Sequence, residues 1–217
     1  MSVTHPTGLS RRVNRRIVAS TLLLSGCAFG IFLILNILQP GRCGGIESVI
    51  YGASLFTCSL CSHLYTKRCY WFPTSLLRHL DHAAIFLLIA GTYTPFAART
   101  ISGPFGVPLI YWVWAVSVVG IILRLLIRKG FDRLFVGLYL LQGWLFLTAI
   151  PDIVHQISVF SMIFLGLGAV AYSVGAAIFA RDIGRWTDPV WHSFVLSAVV
   201  LHFVAVLELV LRSCHHF

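Results

Sequence analysis

Charge is what this sequence has least of. Only 11% of its 217 residues are charged, and Asp and Glu together number seven. A soluble domain carries roughly a quarter charged residues, so too little polar side chain is present to cover a water-facing surface. Long polar connections are also lacking, which leaves no room for a second, soluble domain. No glycine-rich nucleotide loop, GxSxG elbow or HExxH motif occurs. No long basic stretch interleaved with aromatics occurs either, which argues against a nucleic-acid partner.

What is present is apolar: 58% of the chain, in stretches of membrane-spanning length. Seven emerge, at Ile17–Leu38, Ile46–Tyr65, His82–Ala97, Val107–Ile127, Leu134–Ile150, Ile157–Ala180 and Val190–Leu211. A span needs roughly 17–25 residues, and the third and fifth stretches are at the short end. In hydrocarbon every backbone amide needs an internal partner, so these stretches are helices. The first run follows Arg11, Arg12, Arg15 and Arg16 and lasts about 22 residues, a spanning length rather than that of a cleaved leader. The expectation is one all-α domain over residues 1–217, a bundle of seven transmembrane helices with residues 1–16 as a basic tail.

Orientation follows from the basic residues, which are enriched on the cytoplasmic side of membrane proteins. The amino-terminal tail and the second–third, fourth–fifth and sixth–seventh connections carry 13 of the 16 Lys and Arg, counting Arg124 with the fourth–fifth connection. The other side carries three: Arg42, Arg99 and Arg212. The amino terminus is therefore expected inside and the carboxyl terminus outside, with the plasma membrane as the simplest location and the net charge of +9 directed at lipid headgroups. Gly26 and Gly30, and Gly166, Gly168 and Gly175, are candidates for close helix approach. Cys27, Cys58 and Cys61 read as small apolar residues, while Cys43 and Cys214 fall on one side, leaving a disulfide between them open.

Ionisable groups inside or beside spans are costly and mark function. Ser62, His63 and Thr66 lie at the inner end of helix two, His79, Asp81 and His82 at the start of helix three, and Asp188 and His192 at the start of helix seven. Asp188 and His192 are spaced i, i+4 and share a face. A carboxylate and an imidazole facing another Asp and His form a donor set that zinc accepts; they also suit a buried hydrogen-bond network. His202, ten residues past His192, points elsewhere and suits packing. Glu47 and Glu208 sit at outer helix ends and are expected to be solvated, and His155 falls in a loop.

The segment from Arg78-His79-Leu80-Asp81-His82 through Gly91-Thr92-Tyr93-Thr94-Pro95-Phe96 closely resembles the third-helix signature of the hemolysin III family, the bacterial branch of the progestin and adipoQ receptor superfamily. Tyr51-Gly52 through Ser62 is similar to its second helix, and Trp191-His192 with His202-Phe203 to its seventh. The resemblance implies zinc held by three histidines, one from a Ser-x-x-x-His motif on helix two and two from a His-x-x-x-His on helix seven, with the helix-three Asp on the zinc-bound water. Ser62, Asp81 and His192 match. The other two histidines fall on Thr66 and Asp188, and His63 is a conceivable substitute. A retained metal would be held by His192, Asp188 and His63, with Asp81 positioning water beside Ser62. The leading expectation is a non-enzymatic membrane protein with pore-forming, cytolytic-type or membrane-homeostasis activity. The alternatives are a zinc-dependent hydrolase of a lipid amide or ester, and a receptor-like pseudoenzyme that binds a lipid ligand. Asn14 stands where the family usually has acidic and His residues.

Overall fold

A computed structural model describes residues 8–40, 45–100, 106–127, 131–149 and 156–215. Arg42, Cys43, Arg128, Lys129 and His155 lie outside these. The described residues form seven α-helices: α1 (Gly8–Leu38), α2 (Ile46–Lys67), α3 (Thr74–Thr100), α4 (Gly106–Leu126), α5 (Asp132–Trp144), α6 (Val159–Arg181) and α7 (Thr187–His215). Short 3-10 turns follow α5 at Leu145–Ala149 and precede α7 at Gly184–Trp186. Among the described residues, five segments are long and apolar enough to cross a membrane: α1, most of α3, most of α4, α6, and Gly184–Cys214, which covers nearly all of α7.

The two helices that miss this measure do so for different reasons. α2 has the length, but packs between α1 and α3 and buries Ser48, Ser54 and Ser59, so polar and small groups replace lipid-facing apolar ones. α5 is regular for only 13 residues and then tightens into a 3-10 turn. The Tyr93 hydroxyl lies 2.9 Å from the Gln142 carbonyl and 2.8 Å from that of Gly143, and serves carbonyls near this change of winding. Gln142 itself is buried and donates from Nε2 to Ser117 Oγ at 2.6 Å and to the Val113 carbonyl at 3.1 Å.

The helices are amphipathic with the usual sense reversed. α1 buries Ser10, Asn14, Val18, Thr21, Ser25, Ala28 and Phe32, a stripe at spacings of three and four, while Leu23, Ile34, Ile37 and Leu38 stand exposed. With lipid outside, burial of apolar surface does not drive association, and helices associate through small residues and interhelical hydrogen bonds. α1, α2, α3, α5, α6 and α7 follow one another around the bundle, and α4 leans on α3 from outside with Tyr111, Trp112 and Leu126 exposed. Gly168 is the tightest approach of α6 to α7, where a Cβ would stand 2.2 Å from the His202 ring.

Several expectations need correction. Residues 8–16 continue α1 rather than forming a tail, because Arg is a good helix former and its long side chain reaches water from a helix end. Gly30 and Gly166 have no neighbouring atom within 4 Å of a Cβ built on them; the close approaches are at Gly168 and Gly175, and at Gly52, Gly91 and Gly120. Glu208 is not simply solvated: it accepts hydrogen bonds from Ser161 of α6 and Arg212 of α7, binding the two helices at the end away from the arginine-rich one. Cys214 is disulfide-bonded, and Cys27, Cys58, Cys61 and Cys69 are free.

Arg124 is not a loop charge either. It lies within α4 with its side chain 3% exposed, donating to Asp132 of α5 at 2.9 Å and to His82 Nδ1 of α3 at 2.8 Å, with its guanidinium 5.0 Å from the centre of the Phe135 ring. Arg78 of α3 holds the second oxygen of Asp132 at 2.8 Å. Removing one partner of a fully buried ion pair costs roughly 3–5 kcal/mol; Asp132 is 37% exposed, so the loss here is smaller. Asp132→Ala is expected to lower the melting temperature of the detergent-purified protein clearly, and Arg124→Met combined with Asp132→Leu to recover most of it. An unchanged melting temperature in Asp132→Ala would mean that the cluster does not hold α3, α4 and α5 together.

Candidate functional site

Antiparallel succession brings the start of α1, the end of α2, the starts of α3, α5 and α7 and the end of α6 to one end of the bundle. Between them lies a cavity of about 610 Å³. Its mouth carries Arg11 and Arg15 from α1, Arg68 just after α2, Arg78 from α3 and Arg185 from the turn before α7. Asp188, exposed, stands beside them; further in are Asp81, His82 and His192, and the far wall is made by Thr92, Tyr93, Trp144 and His202. α4 contributes nothing to the lining. Beyond the far wall Phe32, Tyr51, Phe96, Val206, Leu209 and Val210 are buried in a continuous apolar core, so the lining stops there.

The polar groups are held individually. Ser62 Oγ donates to Asp81 Oδ1, joining α2 to α3. His192 is 9% exposed. Its Nδ1 lies 2.8 Å from Asn14 Oδ1 and 2.9 Å from the Asp188 carbonyl, and two oxygen acceptors there assign the ring proton to Nδ1. Nε2 is left as an acceptor with no hydrogen-bond partner among the described residues. His82 is the complement: Arg124 can only donate to its Nδ1, so its proton sits on Nε2, and Tyr139 donates to its carbonyl at 2.9 Å. His202 sits 3.2 Å from the Leu165 carbonyl with its ring edge-on to Tyr172, the packing role expected for it.

Thus Ser62, Asp81, Asp188 and His192 line one cavity together with Thr66, while His63 is not among its lining residues. Sequence reasoning gave little weight to Asn14, which orients His192, and missed Tyr139, Arg124 and Asp132, which fix His82. Asn14 had a signal: it continues the stripe of Ser10, Thr21 and Ser25 on the buried face of α1. The Arg124 cluster had none, since its bonded members lie 8 to 54 positions apart with no shared period.

The chain matches the family model for haemolysin-III-related proteins over residues 18–203. The chain belongs to that family. It is 34% identical over 184 residues to Hemolysin-3 of Bacillus cereus, covering 84% of each chain. It is 33% identical over 178 residues to a Hemolysin-3 homolog of Bacillus subtilis, covering 82% of this chain and 84% of that one. The human monocyte to macrophage differentiation factor is 25% identical over 174 residues, covering 77% and 72%. No solved structure matches the chain. As a haemolysin-III-related protein with several spanning helices, it is an integral, multi-pass membrane protein.

The zinc that the family resemblance implies requires about four converging ligands, drawn from Cys, His, Asp and Glu in protein sites. Among the described residues no group of three or more such side chains could hold a metal ion. One oxygen of Asp81 is taken by Ser62, Asp188 is exposed, and the second-helix position is the Thr66 hydroxyl, a poor ligand at neutral pH. The residues present do not fit zinc. Restoring the family's ligands with Thr66→His and Asp188→His is expected to raise bound zinc in the purified protein from well below stoichiometric to about one per chain. Full occupancy of the unaltered protein, lost on His192→Ala, would overturn this account of the donor set.

Proposed function

We propose that this haemolysin-III-related protein spans the plasma membrane seven times with its arginine-rich end in the cytoplasm, and acts in membrane homeostasis by binding a lipid amphiphile rather than by hydrolysing one. The observation that carries this reading is the cavity. At about 610 Å³ it falls within the roughly 300–1,000 Å³ of sites that take one small ligand, and it pairs a charged mouth with a wall of apolar and aromatic side chains. That gradient matches a molecule with a polar head and one hydrocarbon chain. All seven helices take part in one ring or lean on it, which supports counting α2 and α5 as spans although neither has the apolar length on its own.

Two other activities draw less support. A pore through one chain needs a polar path from end to end, and here Phe32, Phe96, Val206 and Val210 pack beyond the cavity. Metal-assisted hydrolysis needs a metal-bound water, and the donor set does not fit the metal. Asp81 with Ser62 and His192 with Asn14 are instead a fixed set of hydrogen-bonding groups awaiting a ligand's head.

Single-chain lipid is expected to co-purify with the protein, and added lysolipid to bind saturably, read by quenching of Trp144 and Trp191 with a brominated chain. Ile89→Trp, which fills the cavity, should weaken binding at least about tenfold. The reconstituted protein should leave liposomes tight to a small dye at the same density. Dye release that rises with protein density, with no lipid bound, would instead favour the pore.

A further inference from the structure

The positions that deny the cavity a metal leave it with acceptors of a different kind. An ammonium group has three N–H donors and no acceptor. Facing the cavity are the carboxylate of Asp188, which has no ion pair among the described residues, the second oxygen of Asp81, and the unpartnered Nε2 of His192. Asp81, Asp188 and His192 line the same cavity, and Nδ1 of His192 lies 2.9 Å from the Asp188 carbonyl. His192 is nine-tenths buried, with Asn14 and the Asp188 carbonyl fixing which nitrogen carries its proton, so its lone pair opens on the cavity and cannot be satisfied by rotating the ring.

The opposite charge stands at the mouth. Arg11, Arg15, Arg68 and Arg185 line the mouth, and none has an ion-pair partner among the described residues. Arg78 is committed to Asp132, and Arg124 to Asp132 and His82. Arginines bind phosphate oxygens through paired N–H donors. The cavity therefore presents arginines at its mouth with Asp188 beside them and the acceptors of Asp81 and His192 behind, ahead of an apolar wall, and it has room for one chain rather than the two of a bilayer phospholipid.

We propose that the cavity recognises a single-chain amphiphile with a phosphoethanolamine head. The phosphate lies against the mouth arginines, the primary ammonium is held by Asp81, Asp188 and Nε2 of His192, and the chain runs toward Tyr93 and His202. This rests on the amphiphile-binding reading above and adds head-group selection to it. A phosphocholine head has the same net charge but no N–H to give, so it leaves all three acceptors unmet. A phosphate monoester without an amine brings only like charge to the two carboxylates.

The test uses the full chain purified in detergent and three lysolipids with one acyl chain, bearing phosphoethanolamine, phosphocholine or phosphate monoester heads, titrated by tryptophan quenching. Phosphoethanolamine is expected to bind at least about tenfold tighter than phosphocholine. Asp188→Asn, at an exposed position, should weaken phosphoethanolamine binding far more than phosphocholine binding and so remove most of that preference. Arg185→Gln should weaken both. Equal binding of all three heads, indifferent to Asp188→Asn, would overturn the head-group assignment and leave amphiphile binding standing, as would tightest binding of the monoester. Binding of none of them would remove the amphiphile reading and this inference with it.

Discussion

Everything in this molecule depends on the fact that lipid offers a helix no reason to bury its apolar face. Exposed Leu, Ile, Val and Phe already have the solvent they need, so cohesion must come from groups that lipid serves badly: hydroxyls, amides, imidazoles and a few charges. The interior stripe of α1 is built of such groups, as is the packed face of α2. The polar interior is a condition of assembly first and a source of chemistry second. Once six helices meet through polar and small side chains, a cavity lined by them comes with the architecture.

The same constraint explains why the site tolerates the loss of its expected ligands. Thr66 and Asp188 in place of histidines leave the bundle's main ties intact, because those ties run through other residues: Ser62 to Asp81, Asn14 to His192, Arg124 to His82 and Asp132. The set that orients the groups is separate from the set that would have held an ion. Chemistry at the centre can therefore change while the fold stays, which accords with about a third identity to bacterial relatives over most of the chain.

Much of the fold was legible in the sequence, since runs of apolar residues and the breakers between them are local signals. Helix positions follow from them, with α3 reaching back past the His82–Ala97 stretch to Thr74. What the sequence hid were departures from the average. α5 ends early because Tyr93, 49 and 50 positions away, serves its last carbonyls, and no local feature announces that. At the site, Asp81, Asp188, His192 and Ser62 were readable as rare polar groups near helix ends. Their partners were harder to read: Asn14, for all its place on the polar stripe of α1, fell within what looked like a basic tail, and Arg124 looked like one more cytoplasmic loop charge. The register that places His63 outside the cavity is likewise a property of how α2 is rotated, which its neighbours set.

The place of α4 carries a mechanical meaning. Outside the ring and bare to lipid along much of its length, it feels the thickness of the hydrocarbon more directly than the helices it leans on, and a mismatch is relieved by tilting. Its polar ties all run to two walls of the cavity: Ser117 to the Phe86 carbonyl and Gln142, Trp114 to Thr94, Arg124 to His82 and Asp132. A tilt of α4 would thus be carried through these bonds to α3 and α5, two of the helices that line the cavity.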